Sequence, residues 1–416
     1  MILGVFKKTG KDNRKRGFFM TFREEKRNLE TIPVGSLGII PLPGCKTLGE
    51  KIDYYLVKWR TERENEHKDN LAFAGYQRET YLVESKVPRF GSGEGKGVIL
   101  QSIRGDDIYI LVDVCNYSLT YSLFGRQNHM SPDDHYQDLK RIISAIGGKA
   151  RRITVIMPFL YESRQHKRSS RESLDCAIAL QELVAMGVDN IITFDAHDPR
   201  VQNAIPLHGF ETVQPAYQYI KGLLNHIKDL QLDADHMMVI SPDEGGMGRA
   251  IYLANVLSLD MGMFYKRRDY STIVQGRNPI VAHEFLGASV EGKDVLIIDD
   301  MISSGESMIE VATELKNRKA NRVFIAATFG LFTNGLEAFD KAYENGIIDR
   351  VLTTNLIYQK EELLNKEYYI NCDMSKYIAY LIDTLNHDVS ISDLLNPSDR
   401  ITQAVDIYKE EQKSNT

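Results

Sequence analysis

Cysteine is scarce and scattered. The four in 416 residues, Cys45, Cys115, Cys176 and Cys372, show no Cys-x-x-Cys or other paired spacing. That argues against a disulfide framework or a structural zinc site and suits a reducing cytosol, so a cytoplasmic protein is expected. Long apolar runs are missing as well. None approaches the roughly 18 residues of a membrane-spanning helix, and the N-terminus lacks the apolar core of a secretory signal. Charge of one sign is not in excess: 51 Lys and Arg stand against 57 Asp and Glu, a net −6. Nothing global therefore points to nucleic acid or membrane as a partner. What is present is an ordinary soluble, globular composition and enough chain for two domains with buried cores.

Residues 1–32 form a basic arm (Lys7, Lys8, Lys11, Arg14, Lys15, Arg16, Arg23, Lys26) without helical periodicity. It reads as a solvated tail or a subunit-contact arm. From Leu37 the chain turns globular, with a strand at 37–42 and a helical face of Leu48, Ile52, Tyr55 and Leu56. The charged residues 61–70 read as an exposed insertion. Residues 81–87 read as a strand leading into a glycine-rich loop, 88–97, which carries Phe90 and Glu94. A ring and a carboxylate so placed can stack on and hydrogen-bond a purine, although a plain hairpin is the simpler account. Residues 113–131 make a long loop. Ser131-Pro132-Asp133 is a helix entry, which leaves His129 and His135 as loop and helix-start residues rather than metal ligands.

The chain is organised around residues 294–308. The apolar run Val295 to Ile298 is of the buried-strand type and ends in two carboxylates, Asp299 and Asp300. A small polar turn follows (Ser303, Ser304, Gly305, Glu306, Ser307), and then a helix with Met308, Val311, Ala312 and Leu315 on one face. Helix starts carry unpaired N–H groups and partial positive charge, so they hold phosphate. The serines add hydroxyl donors, and Gly305 allows close backbone approach. Carboxylates at the carboxyl end of a strand can accept hydrogen bonds from a diol or support a divalent cation. A pentose phosphate is the simplest ligand with both features. The bland alternative is a strand–turn–helix whose serines merely cap the helix.

Other anion-binding signals also follow apolar strands. Arg164, Gln165, Lys167, Arg168 and Arg171 follow a strand at 153–157, where a polyphosphate site is credible. Asp195 and His197 follow 191–194. Residues 241–249 form a glycine-rich strand-to-helix turn around Asp243, suited to a pyrophosphate or Mg²⁺–phosphate contact. Lys266, Arg267 and Arg268 end a strand, and 269–283 read as a mobile flap.

In their order these stretches resemble the ribose-phosphate pyrophosphokinases, the PRPP synthetases, over about 37–396. The stretch at 294–308 resembles the ribose-5-phosphate loop that this family shares with type I phosphoribosyltransferases. The resemblance implies an α/β fold: two similar type I phosphoribosyltransferase-like domains, each a mainly parallel sheet flanked by helices. It divides the chain into the arm 1–32, an N-terminal domain 33–205, a C-terminal domain 206–396 and a polar, frayed tail 397–416. The end of the C-terminal domain is allowed to pack back on the first.

The implied reaction transfers the pyrophosphoryl group of ATP to the 1-hydroxyl of ribose 5-phosphate, with Mg²⁺. Phe90, Glu94, Arg164, Gln165 and His197 would bind ATP. Asp299, Asp300, Ser303, Ser304, Gly305 and Ser307 would bind the sugar phosphate. Lys266 and Arg268 would be catalytic, and His197 and Asp243 would support the metal. The Phe90 stretch resembles one that contacts adenine across a subunit interface, which implies a homo-oligomer built from dimers, with a hexamer as one form.

Departures from the family pattern are His166 for Asp, Ser303-Ser304 for Asp-Thr, and Glu306 where Gly is common. A phosphoribosyltransferase, a pyrophosphokinase with a larger acceptor and an inactive regulatory subunit stay open as alternatives. The presence of Lys266, Arg268, Asp299, Asp300 and His197 speaks against the last.

Overall fold

The computed structural model describes residues 31–67, 73, 75–268 and 280–414, without the side chains of 64–67, 266–268 and 280–283. Residues 1–30 of the basic arm and 269–279 of the expected flap lie outside the described residues.

The first half runs β1 (Leu37–Pro41), α1 (Lys46–His67), a hairpin of β2 (Ser85–Lys86) and β3 (Val98–Ile99), then β4 (Asp107–Leu111). A second hairpin of β5 (Thr120–Leu123) and β6 (Arg126–His129) leads to α2 (Pro132–Ile146), β7 (Arg152–Ile156), α3 (Asp175–Ala185), β8 (Asn190–Phe194) and β9 (Gly209–Val213). Five of these strands form a parallel sheet in the order β1-β4-β7-β8-β9.

The second half begins with α4 (Ala216–His226), β10 (Met237–Ser241), α5 (Met247–Leu257), β11 (Asp260–Arg268), β12 (Ile280–Leu286) and β13 (Asp294–Ile302). It continues with α6 (Glu306–Asn317), β14 (Val323–Gly330), α7 (Glu337–Glu344), β15 (Arg350–Thr354), α8 (Glu361–Leu364) and β16 (Tyr369–Cys372). Its sheet has the order β12-β11-β10-β13-β14-β15-β16, parallel except for the β11–β12 pair. β4, β10 and β14 are buried at every position, as strands covered on both faces must be. No described helix is long and apolar enough to cross a membrane.

The chain then returns to its first half. α9 (Ser375–Asn386) packs along α1, placing Tyr377, Ile378, Leu381 and Ile382 in the first core. A buried ionic network fixes this docking. Arg60, 1% exposed, donates to Asp383 (3.0 Å) and Asn386 (2.6 Å), and Arg63 also pairs with Asp383. Burial opposes the Asp383 carboxylate, but the two guanidiniums hold it below its usual range. Removing one partner of such a buried pair costs about 3–5 kcal/mol.

Several expectations are corrected. Residues 61–70 are not a loose insertion at their start, because α1 continues through His67 and Arg63 is held by Asp383. Residues 81–87 are mostly not strand: Leu82 makes one bridge to Ile39, and β2 has two residues. Residues 280–283, placed in the flap from sequence, belong to β12, whose backbone pairs with β11 (Lys266 opposite His283, Arg268 opposite Ile280). The polar tail is a helix. After α10 (Ser392–Leu395), α11 (Ser398–Ser414) buries Ile401, Ala404, Val405 and Tyr408 against α4 and α5. Its apolar residues are few, but they fall at i, i+3, i+4 and i+7, one face of a helix.

Candidate active site

The carboxyl ends of β8 and β13 meet across the two halves. Three residues past β8, His197 Nδ1 lies 2.7 Å from Asp300 Oδ2 on β13. Beside this pair, Arg249 on α5 donates from Nε to Asp195 Oδ1 (2.6 Å) and lies 3.8 Å from Asp300 Oδ2. Thr328 on β14 donates to the other Asp195 oxygen (2.7 Å) and is within 2.7 Å of the Tyr219 hydroxyl. Asp195 thus ties one half of the chain to two elements of the other, α5 and β14. It does so at φ 43, a strained backbone for a non-glycine residue and one that clusters at functional sites.

The electrostatics are those of crowded carboxylates around one guanidinium. Burial, and then the neighbouring Asp300 charge, push Asp299 well above the usual carboxylate range. Burial also works to raise Asp300, but the His197 hydrogen bond and Arg249 outweigh it and hold Asp300 low. Asp195 is raised by burial despite Arg249. The adjacent Asp299 and Asp300 therefore suit a ligand that supplies hydroxyl donors or positive charge.

The turn after Asp300 is built around Gly305. Gly305 sits at φ 92 and opens α6, and a Cβ there would lie 2.2 Å from the Phe339 ring. The N-cap Gly305 has no side chain to cap α6, and the first helical N–H, that of Glu306, lies 3.5 Å from Ser304 Oγ. The Glu306 carboxylate accepts from the Asn334 amide at 3.3 Å.

The remaining predicted residues fall into two sets. Asp243 Oδ1 accepts from Gly245 N (2.8 Å) and Gly246 N (3.3 Å), so it shapes its own glycine turn while adding negative charge near Asp299. Among the described residues, no three His, Cys, Asp or Glu side chains gather as a ready metal site. Gln165 is tied to Ser173 O (2.8 Å), and Arg164 is exposed. His166, which replaces an acid of the family pattern, stands with its ring 5.4 Å from that of His197 and its Nε2 3.5 Å from Asp198.

Phe90 and Glu94 are not brought to this cluster. They face solvent from the β2–β3 hairpin, where Phe90 N bonds Glu94 O at 2.7 Å. Lys266 and Arg268 lie on β11, next to β10, with side chains outside the described residues. Sequence reasoning gave no role to Arg249, Thr328 or Tyr219. The available signal for Thr328 is a hydroxyl inside an otherwise apolar, wholly buried strand.

Comparison with known proteins gives the geometry its context. Residues 37–187 match the family described as the N-terminal domain of ribose phosphate pyrophosphokinase, and residues 210–354 match the phosphoribosyl transferase domain. A ribose-phosphate pyrophosphokinase of Vibrio parahaemolyticus is 29% identical over 320 residues, 76% of this chain and 92% of that one. The Vibrio cholerae protein of the same name is 28% identical with the same coverage. The crystal structure of phosphoribosylpyrophosphate synthetase from Mycobacterium smegmatis shares the fold, with a TM-score of 0.65 at 20% identity, covering 85% of this chain and 99% of that one. The two matches, in this order, with relatives of that name covering 76% of the chain, place it in the ribose-phosphate pyrophosphokinase family.

Proposed function

We propose that the chain transfers the pyrophosphoryl group of ATP to the 1-hydroxyl of ribose 5-phosphate, releasing AMP, as a cytoplasmic enzyme of nucleotide biosynthesis. The observation that carries this reading is the joining of a diol-type carboxylate pair, Asp299 and Asp300, to a glycine-opened helix start one turn away. Asp299 and Asp300 accept the 2- and 3-hydroxyls of the sugar. Ser303, Ser304, Gly305 and Ser307 hold the 5-phosphate at the positive end of α6. The 1-hydroxyl is thereby fixed for attack on the β-phosphorus, and AMP leaves with the α-phosphate.

Arg164, Gln165 and His197 hold the phosphates of ATP from the facing half. Lys266 and Arg268, at the end of β11, neutralise charge on the transferring group. The crowded carboxylates Asp299 and Asp300 are oxygen donors of the kind Mg²⁺ prefers. His197 and Asp243 would support it. When bound, it would offset negative charge on the transferring phosphates. Positioning and electrostatics supply the rate, and no single general base is required.

Phe90 and Glu94 contact adenine in the site of a neighbouring copy, which makes the enzyme at least a dimer. The test is AMP release from ATP and Mg²⁺ with and without ribose 5-phosphate, beside Lys266→Ala. AMP that forms only with the sugar, and is lost in the variant, supports the reading. Tight ATP binding without AMP overturns this acceptor.

A further inference from the structure

The β5–β6 hairpin, in the stretch 113–131 that the proposed reaction leaves without a role, is bolted to the loop that carries Phe90. Phe124 N donates to Gly91 O at 2.9 Å. Leu123 packs so closely over Gly93 that a Cβ there would lie 2.6 Å from Leu123 Cδ1. The loop is held from below as well. Arg89 Nη2 reaches Asp138 Oδ2 of α2 at 3.0 Å, and its guanidinium lies 5.1 Å from the Tyr121 ring of the hairpin. At the far end, His129 Nδ1 is 2.8 Å from Tyr117 O, and the Ser131–Asp134 capping box fixes the entry to α2. The two loops form one braced unit.

Two aromatic rings stand out from this unit: Phe90, 54% exposed, and Phe124, 82% exposed. Neither ring stacks on another described ring. Phe124 is also in the wrong backbone region for its type. With Gly125 it makes a two-residue turn with φ 47 and 76, the type I′ geometry that normally selects Asn-Gly. A β-carbon of this kind strains the left-handed region, and an exposed ring returns no burial within the chain. A strained, exposed aromatic at the tip of a braced hairpin is explained by a contact outside the chain.

We propose that Phe124 is a nucleobase-binding residue that works with Phe90, the two rings presenting apolar faces to the adenine of ATP. The inference rests on the reading of Phe90 and Glu94 as the adenine contact. A purine has two π-faces and an edge; the rings offer the faces, and Glu94, steadied by Ser92 Oγ at 2.9 Å, offers an acceptor for the exocyclic amine. Contact with the base, remote from the reacting phosphorus, acts on ATP binding rather than on the chemical step.

Phe124→Asn removes the ring while supplying the residue that the turn prefers, so the fold is kept. Steady-state kinetics should show KM for ATP raised about fivefold or more, the lower end for loss of one base–aromatic stack. kcat should stay within about twofold, with KM for ribose 5-phosphate unchanged and the thermal midpoint equal or higher. Phe124→Tyr should restore the ATP value. Equilibrium binding of ATP should weaken in the Asn variant while binding of inorganic tripolyphosphate does not, a readout that needs no turnover. An unchanged ATP affinity in Phe124→Asn overturns the proposal, including where the only effect is a change in oligomeric mass, which would make Phe124 a contact between copies. Phe90→Ala separates the two readings. If it weakens ATP binding and Phe124→Asn does not, only this inference falls; if neither does, the adenine assignment of the whole loop falls with it.

Discussion

Removing the guanidinium of Arg249 should unfasten the two halves of the molecule. The side chain is 12% exposed, lies 2.6 Å from a buried Asp195 oxygen and faces Asp300 at 3.8 Å. Arg249→Met keeps the apolar stem in α5 and leaves Asp195 with the Thr328 hydroxyl alone. A buried charge stripped of its partner costs about 3–5 kcal/mol, so the urea midpoint at pH 7 should fall by that equivalent. The loss should depend on pH in a stated direction. Burial already raises Asp195 in the intact protein, and without the cation it rises further. Protonation at lower pH then removes the unpaired charge, so the gap between variant and parent should narrow from pH 7 to pH 5. Denaturant unfolding followed by tryptophan fluorescence measures both quantities. A loss below about 1 kcal/mol at pH 7, or a gap that widens on acidification, refutes the reasoning.

Three further outcomes are expected. Asp300→Asn should abolish AMP formation and remove part of the acid sensitivity. The Asp300 pKa is depressed in the fold, so its stabilisation is present above the unfolded carboxylate value and is lost as pH falls through the lower folded value; acid titration of stability reads this. Gly305→Ala should lose more than about 2 kcal/mol of stability and raise KM for ribose 5-phosphate, because the Cβ meets Phe339 and φ 92 is left-handed; calorimetry with sugar-dependence kinetics checks it. Asp113 accepts N–H bonds from Cys115 (2.9 Å) and, across the two halves, Tyr358 (2.7 Å), and burial pushes it up to about 7. Its native state therefore binds the proton between the unfolded value and about 7, and stability drains as pH rises through that window. Asp113→Asn should gain on the parent between pH 5 and pH 8 in the same unfolding assay.

The elements built from local signals were legible in the sequence. The capping box at Ser131 and Pro132, the amphipathic face from Met308 to Leu315 and the apolar run before Asp299 each specify structure within a few residues. What escaped was set by distant partners. α11 looked like a polar tail because its face of four apolar residues has meaning only against α4 and α5. Residues 61–67 looked like an exposed insertion because the Asp383 that holds Arg63 lies 320 residues away. In the site, Asp299, Asp300, His197 and the glycine turn stood out because strand ends concentrate such chemistry. Arg249 did not, because one arginine on a helix is ordinary until Asp195 and Asp300 are brought to it by two separate sheets. Phe124 was hidden by its turn, since Phe-Gly is not a typical hairpin signal and only the fold shows its ring exposed beside the Phe90 loop.

The most direct measurement of the central claim follows the β-phosphorus. ATP labelled there is incubated with the protein, Mg²⁺ and ribose 5-phosphate, and the products are separated. The account predicts the label in 5-phosphoribosyl 1-pyrophosphate, in equal amount to unlabelled AMP, and no product without the sugar. Label released as ADP or free pyrophosphate regardless of the sugar would contradict it.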